Sequence, residues 1–381
     1  MARAPREQEI EIFPEADCLD GFPHPRFTDR LFGHREAELQ LGEGLAAGRL
    51  HHAWMLVGPT GIGKATLAYR FAKKAVEPAD AGADGLFGDM PVEPSLDVDP
   101  ESQPARLVKA LSHPDLLVLR RPYDIRGKRF KTAITVDEVR RLRDFLGHSP
   151  SGGAYKVVIV DSADELNINA ANALLKGLEE PPAKVVFLLV CSMPGRLLAT
   201  IRSRCRVLAL QPLGPDDLEA AARQAFLAGG RAEPAGEDWP ALLTAAGGSV
   251  RRLLELAGDD GVGLSRKVDQ IIEHASRSNW AEIHHLADGL SGVQAAAAFD
   301  QFVELFTGRI GRIIRAAATG AGEARDVEAA RKLGVGDDLA SWAELWETLV
   351  SDKAVQGTLN LDRKGFLIDV TRRLAKLSAR G

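Results

Sequence analysis

Apolar and polar positions alternate in blocks over the first 210 residues. Short apolar runs at Ala53 to Val57, Asp115 to Leu119, Ile134 to Val136, Lys156 to Asp161, Val185 to Val190 and Arg206 to Leu210 read as strands. Two of these, 156–161 and 185–190, are apolar on both faces, as strands buried in a parallel sheet must be. Between the runs the period changes to that of a helix. Arg35 to Ala47 carries a stripe of Leu39, Leu41, Leu45 and Ala46 and stops at Gly48, while Lys64 to Ala75, Asp137 to Leu146 and Asn169 to Glu179 follow the same pattern. This alternation predicts a doubly wound α/β domain over residues 27–212.

The pattern changes after Gly214, where no strand is expected. Helices are predicted at 216–227, 239–246 and 250–256, giving a small helical domain over 213–260. Further amphipathic helices over 264–290, 294–318, 325–333, 339–351 and 362–379 form a second helical domain, 261–381, with the linker at Gly258 to Gly263. No fixed period recurs, so a bundle is expected rather than a solenoid.

Three segments interrupt this scheme. Residues 1–26 contain Pro5, Pro14, Pro23 and Pro25 without a period, and read as an extended arm. Glu77 to Pro104 holds eight acidic residues, five prolines and no base, which reads as a flexible insertion unable to offset its chain entropy. Arg120 to Lys131 has six basic residues against one acid between two predicted strands, and reads as a charged hairpin whose surface is solvated or meets DNA or an acidic partner.

Composition narrows the function classes. Forty-eight Lys and Arg against 53 Asp and Glu give a net charge of −5, so no global field draws the chain onto nucleic acid or anionic lipid. Much of that excess lies in the 77–104 segment. Apolar runs reach about seven residues, far short of the ~20 needed to span a bilayer. The first residues carry charge with no apolar core behind it, so no secretory signal is expected. Cys18, Cys191 and Cys205 show no CxxC spacing, so neither a zinc module nor a disulfide framework is expected. A cytoplasmic protein follows from these expectations.

Gly58-Pro-Thr-Gly-Ile-Gly-Lys-Ala65 lies between a predicted strand and a predicted helix, the context in which a GxxxxGK loop cradles phosphate. Gly58, Gly61 and Gly63 let backbone N–H groups converge, Thr60 lies within the loop, and Lys64 adds a full positive charge at a helix N-terminus. The residue after the lysine ordinarily supplies a hydroxyl to Mg²⁺. Here it is Ala65, and Thr66 is rotated a further ~100° round the helix. Asp161, after four aliphatic residues, occupies the place of the acidic partner of Mg²⁺. The next residue is Ser162, a poor base at neutral pH, where an ATPase needs a carboxylate to polarise water. Asp164 and Glu165 are expected to cap the helix that follows. ATP binding thus stays open, with Mg²⁺ only if ATP binds, and unassisted hydrolysis is not expected.

The run Asn172-Ala-Leu-Leu-Lys-Gly-Leu-Glu-Glu-Pro-Pro182, followed by Ile201-Arg-Ser-Arg-Cys205, resembles the bacterial clamp-loader family of AAA+ proteins. Arg49 to Trp54 is similar to that family's entry into its first core strand, and Gly248-Ser-Val-Arg251 falls where its lid arginine is found. The resemblance covers about residues 31–256. It implies an AAA+ P-loop domain with a parallel sheet, a helical lid and a C-terminal helical collar that assembles into a ring. It also implies that Arg204 is an arginine finger acting in trans, that Ser192 is a first nucleotide sensor, and that Arg251 is a second sensor or a structural remnant. Cys205 reads as a small buried hydrophobe. The four-cysteine zinc module found in many members is replaced by the acidic insertion, so no zinc is expected.

Ala65 and Ser162 depart from the pattern of the motor subunits and match a stator-like subunit instead. The partners so implied are the tau/gamma motor subunits and the clamp-opening delta subunit in a heteropentameric ring, with the sliding clamp and primer-template DNA reached through the complex. The rival reading is an active AAA+ ATPase, either a tau/gamma-type motor or a helicase loader. A third is a protein that binds DNA directly.

Overall fold

The computed structural model describes residues 14–78, 95–151, 155–258, 261–277, 279–292, 295–322, 324–359 and 362–379. They form two compact units: residues 1–233 with 247–252, and residues 234–246 with 253–381.

The first unit is built on five parallel strands, β1 (Ala53–Val57), β2 (Leu116–Leu119), β5 (Lys156–Val160), β6 (Val185–Cys191) and β7 (Arg206–Ala209), in the order β2-β5-β6-β1-β7. The register pairs Met55 with Leu189 and Val158 with Phe187. Because side chains alternate across a strand, each strand feeds two cores. Trp54, Leu56, Val157, Ile159, Val186 and Leu188 face α1 (Arg35–Ala46) and α2 (Lys64–Ala75). Met55, Val158, Val160, Phe187 and Leu189 face α4 (Val136–Leu146) and α5 (Ile168–Glu179). Both layers bury apolar side chains almost completely, which accounts for the unalternated sequence of β5 and β6. The first unit also holds α6 (Ala199–Arg202) and α7 (Pro215–Ala228).

Several expectations change. Residues 1–13 of the expected arm lie outside the described residues, and the rest of it, up to residue 27, contains a turn and a short 3₁₀ helix. Arg120 pairs with Glu15 at 2.6 Å and Asp17 at 3.1 Å, His24 bonds Asp17 at 2.6 Å, and the ring of Phe22 packs edge-on against Phe226. The Arg120 pairs join residues some hundred positions apart and the Phe22–Phe226 contact spans about twice that, and no local pattern announces them. Residues 79–94 of the expected insertion lie outside the described residues, but its C-terminal end is packed: Leu96 is buried and Asp97 bonds Arg70 at 2.8 Å. There Ser102 caps α3 (Gln103–Lys109), a helix not expected in a proline-rich acidic stretch. The run at 134–136 forms no strand. Ile134 makes one isolated bridge to Leu166, and Val136 already begins α4. The basic segment is a two-strand hairpin, β3 (Tyr123–Asp124) and β4 (Arg129–Phe130).

The second unit is helical: α8 (Trp239–Ala246), α10 (Gly261–Glu273), α11 (Trp280–Ser291), α12 (Ala296–Thr319), α13 (Ala324–Lys332), α14 (Leu339–Leu359) and α15 (Arg363–Ser378). α9 (Val250–Leu256) spans the division between the units. Phe299, Phe302, Phe306 and Trp342 are buried in the second unit, and α12 places Arg309 against Asp326 and Asp269. No helix among the described residues is long and apolar enough to cross a membrane.

Candidate functional site

The phosphate loop leaves β1 at the carboxyl edge of the sheet, where the neighbouring strands β6 and β7 also end. Gly58 has no room for a side chain, because a Cβ there would lie 2.5 Å from the Leu210 carbonyl oxygen. Gly61, at φ +79°, has the Arg251 Cβ and the Ser249 Oγ 2.5 Å from the place of its own missing Cβ. Residues 249–251 therefore rest directly on the loop. Ser249 Oγ donates to the Thr60 carbonyl at 2.9 Å, and the Arg251 N–H donates to the Gly61 carbonyl at 3.3 Å. Gly63, at φ +107°, precedes the first turn of α2.

Lys64 turns inward. Its Nζ donates to Gly58 O at 2.7 Å, Pro59 O at 2.5 Å and Ser192 Oγ at 3.1 Å, and the residue is 4% exposed. Burial pulls its ammonium down to about 8, although Asp164 and Asp161 hold it up. Thr60 Oγ1 donates to the same Ser192 hydroxyl at 3.2 Å. Thus Thr60, Lys64 and Ser192 of the expected set come together, as does Arg251 through its backbone. Thr66 is half-buried on α2, and its side chain is not drawn into this cluster.

On the acidic side, Asp161 ends β5 and is buried beside Asp17 of the N-terminal segment. Burial pushes the Asp161 carboxyl well above the carboxylate range, and the adjacent Asp17 charge pushes it further. Burial also opposes ionisation of Asp17, but hydrogen bonds from His24 and Asp161 and the charges of His24 and Arg120 hold it well below its ordinary value. The proton of the pair therefore rests on Asp161, and a neutral carboxyl is a poor ligand for Mg²⁺. Ser162 follows in a left-handed conformation, φ +55°. With Ala65 offering no oxygen, the donor set does not fit a resident Mg²⁺.

Asp164 does not cap a helix. The cap of α5 is Asn167, whose side chain accepts from the Ala170 N–H at 2.8 Å, while Asp164 accepts the Ser192 N–H at 3.0 Å and Glu165 pairs with Arg121 at 2.6 Å. Sequence reasoning also missed Ser249, Asp17 and His34, whose ring bonds the Ile62 carbonyl at 2.6 Å. His34 follows Phe32-Gly33 just before a helix, but nothing in that spacing reveals a partner 28 residues away.

Arg204 stands apart from this cluster. It follows α6 at the turn into β7, with its guanidinium on Glu179 Oε1 at 2.8 Å and on the Thr200 carbonyl at 2.9 Å. Its side chain is 35% exposed. Cys205 packs half-buried on the α5 side of the sheet, where burial pushes its thiol up to about 11. Cys191 is buried and pushed up to about 12 by burial and by Asp164. Neither is a poised nucleophile. Among the described residues no group of three His, Cys, Asp or Glu side chains could hold a metal ion.

A family model described as the DNA polymerase III delta subunit matches residues 33–214. The chain is 34% identical over 257 residues to DNA polymerase III subunit delta' of Pseudomonas aeruginosa, covering 66% of this chain and 70% of that protein. It is 40% identical over 161 residues to the subunit delta' of Yersinia pestis, covering 42% of each, and 32% identical over 196 residues to the subunit tau of Salmonella typhimurium, covering 50% of this chain and 26% of that one. It thus spans less than half the length of the latter two.

Proposed function

Because this chain belongs to the delta' family of DNA polymerase III subunits, a clamp-loader family, we propose that it acts as a non-hydrolysing subunit whose chemistry is exerted on a neighbour. In this reading Arg204 is an arginine finger. A planar, permanently charged guanidinium projects onto the γ-phosphate of ATP held by an adjacent subunit and stabilises charge as the phosphoryl group transfers. The chain assembles with tau/gamma motor subunits and delta in a pentameric ring that sets the sliding clamp on primer-template DNA.

One contrast carries the reading. Arg204 is a half-exposed cation held in place by Glu179 and Thr200, whereas Lys64 is turned into its own loop. Gly58, Gly61 and Gly63 then act mainly as a joint between strand β1, helix α2 and the 249–251 turn. Ser192 and Arg251 belong to that joint, and any nucleotide at the loop is held without being hydrolysed.

The test is a loader reconstituted with Arg204→Ala. It assembles normally, and its DNA-stimulated ATPase falls at least about tenfold, equal to ~1.4 kcal/mol of barrier. Unchanged ATPase sinks the proposal. The active-ATPase reading lacks both the Mg²⁺ hydroxyl and the water-polarising carboxylate. Turnover of ATP by the isolated chain, abolished by Lys64→Ala, is the result that would restore it.

A further inference from the structure

The hairpin formed by β3 and β4 is a rigid, exposed cationic device that the subunit reading leaves unused. Its frame is fixed from several sides. The rings of Tyr123 and Phe130 meet edge-on across the strands at 5.2 Å, Lys131 N–H donates to the Pro122 carbonyl at 3.0 Å, and Asp124 Oδ1 accepts the Arg126 N–H at 3.1 Å to close the turn. At the base, Arg121 lies 5.9 Å from the Phe130 ring centre and pairs with Glu165, while Arg120 is committed to Glu15 and Asp17. Two of the six basic residues in the segment are thereby neutralised by the fold.

The other four are not. Arg126, Lys128, Arg129 and Lys131 are exposed, and none has an ion pair or a side-chain hydrogen bond among the described residues. The only acid in the segment, Asp124, is occupied by the turn. Ile125, 60% exposed, stands at the tip among these cations. A chain with a net charge of −5 thus concentrates four exposed, unneutralised positive charges within six residues.

We propose that this hairpin is a direct nucleic-acid contact, in which Arg126, Lys128, Arg129 and Lys131 neutralise backbone phosphates without reading sequence. Three features favour a polynucleotide over an acidic protein. Arg129 and Lys131, two residues apart on an extended segment, leave the backbone ~6.6 Å apart on one face, within side-chain reach of successive phosphates whose rise is ~3.4 Å along a nucleic-acid strand. A two-stranded β-ribbon is narrow enough to enter a major groove ~12 Å wide. Among the described residues Ile125 is the one large apolar side chain of the 120–131 segment that is mostly exposed, too little by itself for the buried core of a protein interface. Both Arg and Lys serve, because a phosphate contact needs a cation and no particular fork geometry.

The full chain is titrated onto fluorescein-labelled single-stranded and duplex DNA, read by fluorescence anisotropy from about 50 to about 200 mM salt. The wild type binds with an affinity that falls steeply with salt. The variant Arg126→Glu, Lys128→Glu, Arg129→Glu, Lys131→Glu binds at least about tenfold more weakly. Its log–log salt slope is shallower by about 3 to 4, at ~0.9 per lost phosphate contact. Arg126→Lys with Arg129→Lys keeps both affinity and slope. Matching thermal melts of wild type and variants show that the fold is intact. Absence of wild-type binding, or identical binding by the charge-reversed variant, overturns the proposal. Tighter binding of polyglutamate than of DNA at equal charge and equal salt also overturns it, in favour of an acidic protein partner. The inference stands apart from the arginine finger, since a chain failing this test can still support trans ATPase in the reconstituted loader.

Discussion

Lys64 and Arg204 are cations at opposite edges of the same sheet, the lysine beyond the carboxyl end of β1 and the arginine before the amino end of β7, and the fold treats them in opposite ways. The lysine is buried, with its ammonium spread over Gly58 O, Pro59 O and Ser192 Oγ. The arginine is left on the surface with one carboxylate and one carbonyl behind it. A loop whose lysine is satisfied internally, and whose Gly58 and Gly61 are closely packed by Leu210 and by residues 249–251, has become part of the core. A turn that holds a permanent charge half in water keeps, on the proposed reading, something to offer another chain. If so, the phosphate-loop motif and the functional residue need not coincide. What separates them is where desolvation has already been incurred.

The largest effect expected from this contrast comes from filling the loop. Gly61→Val needs an L residue at φ +79° and a Cβ 2.5 Å from Arg251 and Ser249. Left-handed backbone strain and overpacking together should cost about 3 kcal/mol, read as a lower midpoint in thermal or urea unfolding. Gly195→Ala, in the short 3₁₀ turn that precedes α6 and the Arg204 turn, meets nothing within 4 Å and should change stability by less than about 0.5 kcal/mol. Equal losses at the two sites would mean that the loop is no more a packing joint than the turn is.

A smaller effect separates the two cations by pH. The unfolded chain keeps the Lys64 proton up to 10.5, whereas the folded chain releases it near 8, so between these values the unfolded state binds more protons. Stability contributed by this group therefore rises with pH across that window, by up to about 3 kcal/mol. Lys64→Met should erase the rise in chemical denaturation curves taken from about pH 8 to about pH 10. Arg204→Met should leave it intact, since a guanidinium stays charged throughout.

Much of this site was legible because its elements are locally encoded. The aliphatic runs of β5 and β6, the GxxxxGK spacing and the Ile201 to Cys205 run each announce themselves within a dozen residues. The missing chemistry at Ala65 and Ser162 was legible as well, since a lost hydroxyl or carboxylate is visible in the sequence. What escaped depends on distant partners. Asp17 reaches Asp161 through folding alone, and its ion pair with Arg120 spans 103 positions. Asp164 looked like a helix cap because Asn167, three residues later, fits that role equally well by type. Only the approach of Ser192 to Asp164 decided between them. The helix at 103–109 did carry a signal, Ser102 ahead of Pro104 at a helix start, which the prolines and acids around it obscured.

The smallest expected change in stability is the most telling. Glu179 and Arg204 are both partly exposed, with side chains 48% and 35% accessible, so their ion pair is screened and should contribute less than about 0.5 kcal/mol to folding. Glu179→Gln and Arg204→Ala should therefore leave the unfolding midpoint nearly where it is. In the reconstituted loader the two should diverge. With Arg204 as the proposed finger, Arg204→Ala removes it. Glu179→Gln leaves the guanidinium but frees it to explore other rotamers, lowering ATPase by a few-fold, since misplacing a charge by about 1 Å is already costly to a preorganised site. A loss of stability above about 1 kcal/mol in Arg204→Ala, with ATPase unchanged, would place the arginine beside Lys64 as a residue serving its own fold, and the distinction between the two regions would be gone.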